Sequence, residues 1–281
     1  MKVLIVGGKG LLGTNIASVL RKRFDLTVSD IDTWDITDRI SGEAHVEKYR
    51  PDVVVNLAAI TDVDACEDEK KDLAERVNGF GPGVVARICA ERNIRFVHFS
   101  TDYVFDGTKR LPYKEDDPTA PLSVYGATKL MGEKAAVEQN PASLIVRGQW
   151  LYGEGGENFI TKIVNIARQT GAVRVVNDQK GSPTYAKELA EPLAVLIEKG
   201  KTGVYHLANS GSCTWFDFAG EVFSLLNMDV SLTPVSSTEF PMKAARPSYS
   251  VFDMWKFQKA TGLKMRPWQE ALREYLAMTG V

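Results

Sequence analysis

Cysteine and histidine are scarce in this sequence, with three of each among 281 residues. Cys66, Cys89 and Cys213 are odd in number and far apart, which points to reduced thiols in a cytoplasmic setting rather than a disulfide framework. His45, His98 and His206 form no cluster and no metal-ligand spacing occurs, so no metal is expected. Charge of one sign is lacking as well. A formal net charge of −2 gives no electrostatic reason to expect nucleic acid or an anionic membrane as partner. No apolar run approaches the ~20 residues needed to cross a bilayer. The chain enters a strand-like run, Lys2–Val6, with no cleavable-signal pattern. Repeats, low-complexity tracts and charged tails are also missing. What remains is 44% hydrophobic and 25% charged, the balance of an ordinary soluble protein able to bury a large core.

The first half alternates β-branched runs with amphipathic stretches. Val3–Val6, Leu26–Ser29, Val53–Asn56, Phe96–Ser100 and Ser143–Val146 read as strands, with helices starting near Leu11, Ser41, Leu73 and Ser123. Continuous apolar strands separated by helices predict an α/β, Rossmann-like, doubly wound parallel sheet. Beyond Gly148 the pattern loosens. Helices are expected over Asn158–Gln169, Tyr185–Lys199, Thr214–Leu226 and Pro267–Met278. Short strands are expected at Val173–Val176, Val204–Leu207 and Ser231–Thr233, and a long loop from Pro234 to Ser250.

Gly7, Gly10 and Gly13 follow the first strand and open a helix. That context makes a dinucleotide fingerprint: a tight turn, backbone close to pyrophosphate, and a helix N-terminus facing phosphate. Asp30, twenty residues after Gly10, stands where an acid bonds the adenosine ribose. Asp30 repels a 2′-phosphate whereas Lys9 attracts one, which leaves NADH and NADPH both open. Residues 1–148 are thus expected to bind the dinucleotide. Residues 149–281 are expected to form mainly a smaller, discontinuous substrate-binding domain, with segments that return to the first. Tyr125 and Lys129, four positions apart, share a helix face, and a nearby ammonium lowers the pKa of a phenol enough for acid–base work.

The glycine spacing, Ser100-Thr101-Asp102-Tyr103 and Tyr125-x-x-x-Lys129 resemble the extended short-chain dehydrogenase/reductase superfamily. Asn56-Leu57-Ala58-Ala59, the Phe99–Gly107 and Tyr125–Glu133 runs, Asp178-Gln179-x-Gly181-x-Pro183-Thr184, Tyr205-His206-Leu207 and Ala245-Arg246-Pro247 are similar to the dTDP-4-dehydrorhamnose reductases, along the whole chain. The resemblance implies reduction of the C4 keto group of a dTDP-linked 4-keto-6-deoxy sugar by NADPH or NADH. It makes Tyr125 the general acid, Lys129 its pKa-lowering neighbour and ribose ligand, and Thr101 a hydrogen-bond donor to the carbonyl oxygen. It places Gly7, Gly10, Leu11, Leu12, Gly13, Asp30, Asp35, Ile36, Ala58, Ala59, Thr61, Asn78 and Ser100 along the cofactor, and Tyr103, Trp150, Asn158 and Arg246 around the sugar. A homodimer is compatible with it. Two departures stand out: Gly10-Leu11-Leu12-Gly13 where members often read Gly-Gln-Leu/Val-Gly, and Arg147-Gly148-Gln149-Trp150 where many read Arg-Thr-Ser-Trp. Two rival readings share the fold: a non-catalytic, NADP-binding relative of the methionine adenosyltransferase β subunit, and a nucleotide-sugar epimerase or dehydratase. The dehydratases' glutamate after the acid is missing, since position 103 is tyrosine.

Overall fold

A computed structural model describes residues 1–240 and 242–280. Pro241, inside the expected 234–250 loop, and Val281 lie outside the described residues. Strands β1 (Lys2–Val6), β2 (Asp25–Ser29), β3 (Val53–Asn56), β4 (Arg95–Thr101) and β5 (Leu144–Gly148) enter a parallel sheet. Between β5 and the next sheet strand come the short strands β6 (Leu151–Tyr152), β7 (Ala172–Val176), β8 (Lys180–Gly181) and β9 (Thr184–Tyr185). Strand β10 (Gly203–His206) then pairs with β5, which gives the six-stranded order β2-β1-β3-β4-β5-β10 reading from the other edge. The expected strand at Val204–Leu207 is therefore a member of the main sheet. Two more short strands follow, β11 (Cys213–Thr214) and β12 (Ser231–Val235), the latter parallel to β7.

The near-continuous apolar strands are explained by burial on both faces. Val3, Ile5, Val53, Val55, Val97 and Phe99 point into one core; Leu4, Val6, Val54, Phe96 and Ile145 point into another. Helices α1 (Leu11–Leu20), α7 (Ala190–Glu198) and α9 (Trp255–Thr261) cover the first face. Helices α2 (Arg39–Tyr49), α4 (Gly81–Glu91) and α5 (Val124–Gln139) cover the second. A third core is separate. Helices α6 (Phe159–Thr170), α8 (Trp215–Leu225) and α10 (Trp268–Thr279) enclose it, with Tyr152, Tyr185, Phe218 and Tyr275 inside.

Two expectations need correction. The single helix expected near Leu73 is broken into α3 (Lys71–Ala74), a π-helical segment Glu75–Phe80, and α4. The helix expected from Tyr185 begins only at Ala190, because Thr184–Tyr185 is strand β9 and Ala186–Leu189 is a tight 3₁₀ turn. Helix α9, with seven residues, had no sequence expectation. No helix among the described residues is long and apolar enough to cross a membrane.

Candidate active site

A cleft of about 640 Å³ opens at the carboxyl ends of β1, β3, β4 and β5, in the size range of small-molecule sites. Its floor is the turn from β1 into α1. A Cβ on Gly13 would stand 2.5 Å from the Gly7 carbonyl oxygen, so only glycine lets α1 press this tightly on the turn. The Ncap residue of α1 is Gly10, with no side-chain cap, so the first-turn N–H groups stay available to an anion. A dinucleotide diphosphate fits that cradle.

Sixteen of the expected residues line this cleft: Gly7, Gly10, Leu11, Leu12, Gly13, Asp30, Asp35, Ile36, Ala58, Ala59, Thr61, Ser100, Thr101, Tyr103, Tyr125 and Trp150. Asp30 accepts hydrogen bonds from the backbone N–H groups of Lys9 (2.8 Å) and Ile31 (2.8 Å). Lys9 in turn pairs with Asp32 at 2.5 Å. Both charges named in the cofactor question therefore already have protein partners.

Helix α5 is placed by its first turn. Ser123 is the Ncap and accepts from the Gly126 N–H at 3.2 Å. A Cβ at Gly126 would meet the Tyr103 carbonyl oxygen at 2.2 Å, so glycine there brings Tyr125 alongside Thr101 and Tyr103. The rings of Tyr103 and Tyr125 meet edge to face at 5.5 Å. The Thr101 hydroxyl donates to Asp102 Oδ1 at 3.1 Å and accepts from the Tyr103 N–H at 3.2 Å. Burial pushes Asp102 up to about 6, against the pull of Ser250 and Thr101.

Four expected residues do not line the cleft. Lys129 lies behind Tyr125, buried, its ammonium donating to the Phe99 carbonyl at 2.7 Å. Burial lowers it to about 8, opposed by Glu133, itself paired with Arg147 at 2.7 Å. The expected lowering of the phenol by this lysine is not found. Burial drives Tyr125 upward, and the contact that favours its ionised form comes from Thr101. Asn78 is spent on the chain: it accepts from the Ile60 N–H (2.8 Å) and donates to the Ile60 carbonyl (2.9 Å). It thereby holds the segment carrying Ala59 and Thr61. Asn158 is the Ncap of α6, in a capping box with Thr161, and donates to the Gly153 carbonyl at 3.0 Å. Its side chain is committed to that cap, outside the cleft lining. Arg246 forms an ion pair with Asp64 at 2.9 Å. Burial alone would raise the Asp64 carboxyl, but Arg246 and the Ala244 N–H hold it below its ordinary value.

Trp150 sits at φ +48°, a left-handed conformation costly for a bulky residue, and its ring stacks on Trp215 at 3.5 Å and 4°. Asp102, Gln149 and Glu157 also line the cleft, though no role was expected for them. The only sequence signals were the Thr101-Asp102 pair and the unusual Gly148-Gln149.

A sequence model of the family described as "RmlD substrate binding domain" matches residues 1–280. The dTDP-4-dehydrorhamnose reductase of Streptomyces griseus is 41% identical over 280 residues, covering 96% of this chain and 91% of the relative. The crystal structure of a dTDP-4-dehydrorhamnose reductase from Clostridium acetobutylicum superposes with a TM-score of 0.96 at 38% identity, covering 100% of both chains. That of the Bacillus anthracis dTDP-4-dehydrorhamnose reductase, solved with NADP, gives 0.95 at 37% identity, covering 99% of each. The glycine cradle, the α5 tyrosine beside Thr101 and the match along the whole chain together place this protein in the RmlD family, which includes dTDP-4-dehydrorhamnose reductases among its relatives.

Proposed function

We propose that this chain reduces the C4 keto group of dTDP-4-dehydro-L-rhamnose to dTDP-L-rhamnose, with NADPH or NADH as reductant. The observation that carries it is the meeting of Tyr125 and Thr101 at one end of a cleft whose other end is the α1 cradle.

When bound, the reduced nicotinamide supplies a hydride. The carbonyl carbon gains the electron pair and its oxygen needs a proton, which the Tyr125 hydroxyl delivers. A phenol pushed upward by burial is fully protonated at neutral pH, which suits a donor in the reductive direction. Thr101, once its single hydroxyl hydrogen turns from Asp102 to the ligand, holds the carbonyl oxygen in line for that transfer. Lys129 is held by one N–H on Phe99 and keeps two donors for ribose hydroxyls and the phenolate left after transfer. Tyr103 and Trp150 flank the sugar, and Arg246, once released from Asp64, meets the diphosphate. In this reading residues 1–148 with β10 and α7 form the dinucleotide part, and the third core forms the sugar-binding part.

The test is loss of absorbance of the reduced nicotinamide when the dTDP-linked 4-keto sugar is added. Steady turnover with formation of dTDP-L-rhamnose is expected. Tight cofactor binding without turnover would favour the regulatory-subunit relative. Light scattering on the same sample checks the homodimer.

A further inference from the structure

Gln149 is 2% exposed and lines the cleft one residue past Gly148, the sheet partner of Thr101. Its Oε1 accepts from the backbone N–H of Ser182 at 3.0 Å. A backbone N–H can only donate, so the carboxamide cannot be turned over: the oxygen must face Ser182 and the NH₂ must face the other way. That Nε2 has no hydrogen-bond partner among the described residues. Both flanks fix this direction. Ser182 is locked by its own hydroxyl on the Gly211 carbonyl at 2.7 Å. Trp150, strained at φ +48°, is clamped on Trp215. Within the same cleft Trp34 Nε1, Ser100 Oγ and Asp102 Oδ2 are likewise buried without a hydrogen-bond partner among the described residues. A buried donor left unpaired is costly, and one held by so rigid a frame is a prepared contact.

We propose that Gln149 is a ligand-binding residue whose Nε2 donates to an oxygen acceptor of the ligand bound beside Thr101 and Tyr125. The proposal rests on the reductase reading for the identity of the two candidate ligands. The acceptor belongs either to the nicotinamide carboxamide or to a hydroxyl or ring oxygen of the sugar. In both cases the chemistry is a neutral carboxamide N–H on an uncharged oxygen. It makes the Gly148-Gln149 departure a specificity feature: a long amide that reaches the ligand takes the place of a short hydroxyl.

Equilibrium binding tests this without any turnover, so failure of the reductase reading, seen as no NADPH consumption by the unaltered protein, stays distinguishable. Calorimetry would compare the unaltered protein with Gln149→Met, first for NADPH alone and then for dTDP-L-rhamnose added to protein holding NADP⁺. Loss of the donor is expected to weaken one of these by about 10-fold. Weakening of NADPH assigns the acceptor to the dinucleotide; weakening of the sugar nucleotide alone assigns it to the sugar. Should Gln149→Met fail to fold, Gln149→Glu, assayed where the carboxylate is ionised, keeps an oxygen that accepts from Ser182 and exchanges the donor NH₂ for a second acceptor oxygen. Changes below about threefold for both ligands in the folded variant would overturn the proposal and leave Nε2 to solvent.

Discussion

Residues at the reacting end divide into those that touch ligand and those that hold the ones that do. Tyr125→Phe keeps the ring against Tyr103 and removes only the hydroxyl, so kcat is expected to fall at least ~100-fold with NADPH binding unchanged. A rate within a few-fold of the unaltered protein would take the proton donor elsewhere. Lys129 predicts a pH dependence. Its folded value near 8 lies below the ordinary 10.5, so between those values the folded chain binds fewer protons than the unfolded one. Stability from this group therefore rises with pH across that window, and below it the cost of burying a charge is fully present. Activity runs the other way: kcat should decline above pH ~8 as the ammonium is lost, a limb absent from Lys129→Met. The glycines and the Tyr125–Lys129 pair were legible because their meaning lies in spacing. The burial of Asp102 and the fixed direction of the Gln149 carboxamide were not, because burial and the lack of a partner arise only when distant segments meet.

At the scale of elements, continuous apolar runs made the central strands readable: β1, β3 and β4 bury side chains on both faces of the sheet, and no loop pattern imitates that. The π-helical segment Glu75–Phe80 escaped, since helix propensity does not distinguish an i→i+5 turn from an α-turn. Its consequence is local and functional, because Asn78 lies within it and from there grips both polar atoms of Ile60. Helix α9 escaped because seven residues carry too little periodicity. Asn158, expected at the sugar, has its side chain in the α6 cap. Asn158→Ala is accordingly expected to cost about 1–2 kcal/mol in urea unfolding while leaving the KM for the sugar nucleotide unchanged. A raised KM at unaltered stability would return Asn158 to the sugar site.

For the molecule as a whole, the segment between β12 and α9 is tied across to the loop after β3. Asp64 accepts from the Ala244 N–H at 2.9 Å and pairs with Arg246, while Lys243 pairs with Asp68. With cleft walls supplied by both parts, NADPH at about 100 times its Kd should raise the melting temperature by roughly 5–10 °C in one transition. Two transitions, with only one moving, would mean that the parts unfold independently. Strand β10 has a further consequence, for synthesis rather than for catalysis. Residues 149–202 must all be made before Gly203–His206 can seat beside β5. Until then the nascent chain presents β5 as a raw sheet border, open to pairing with any neighbouring polypeptide. A ribosome paused anywhere in that interval holds an aggregation-prone intermediate, and the stretch from Gln149 to Thr202 is where slow codons would do the most harm.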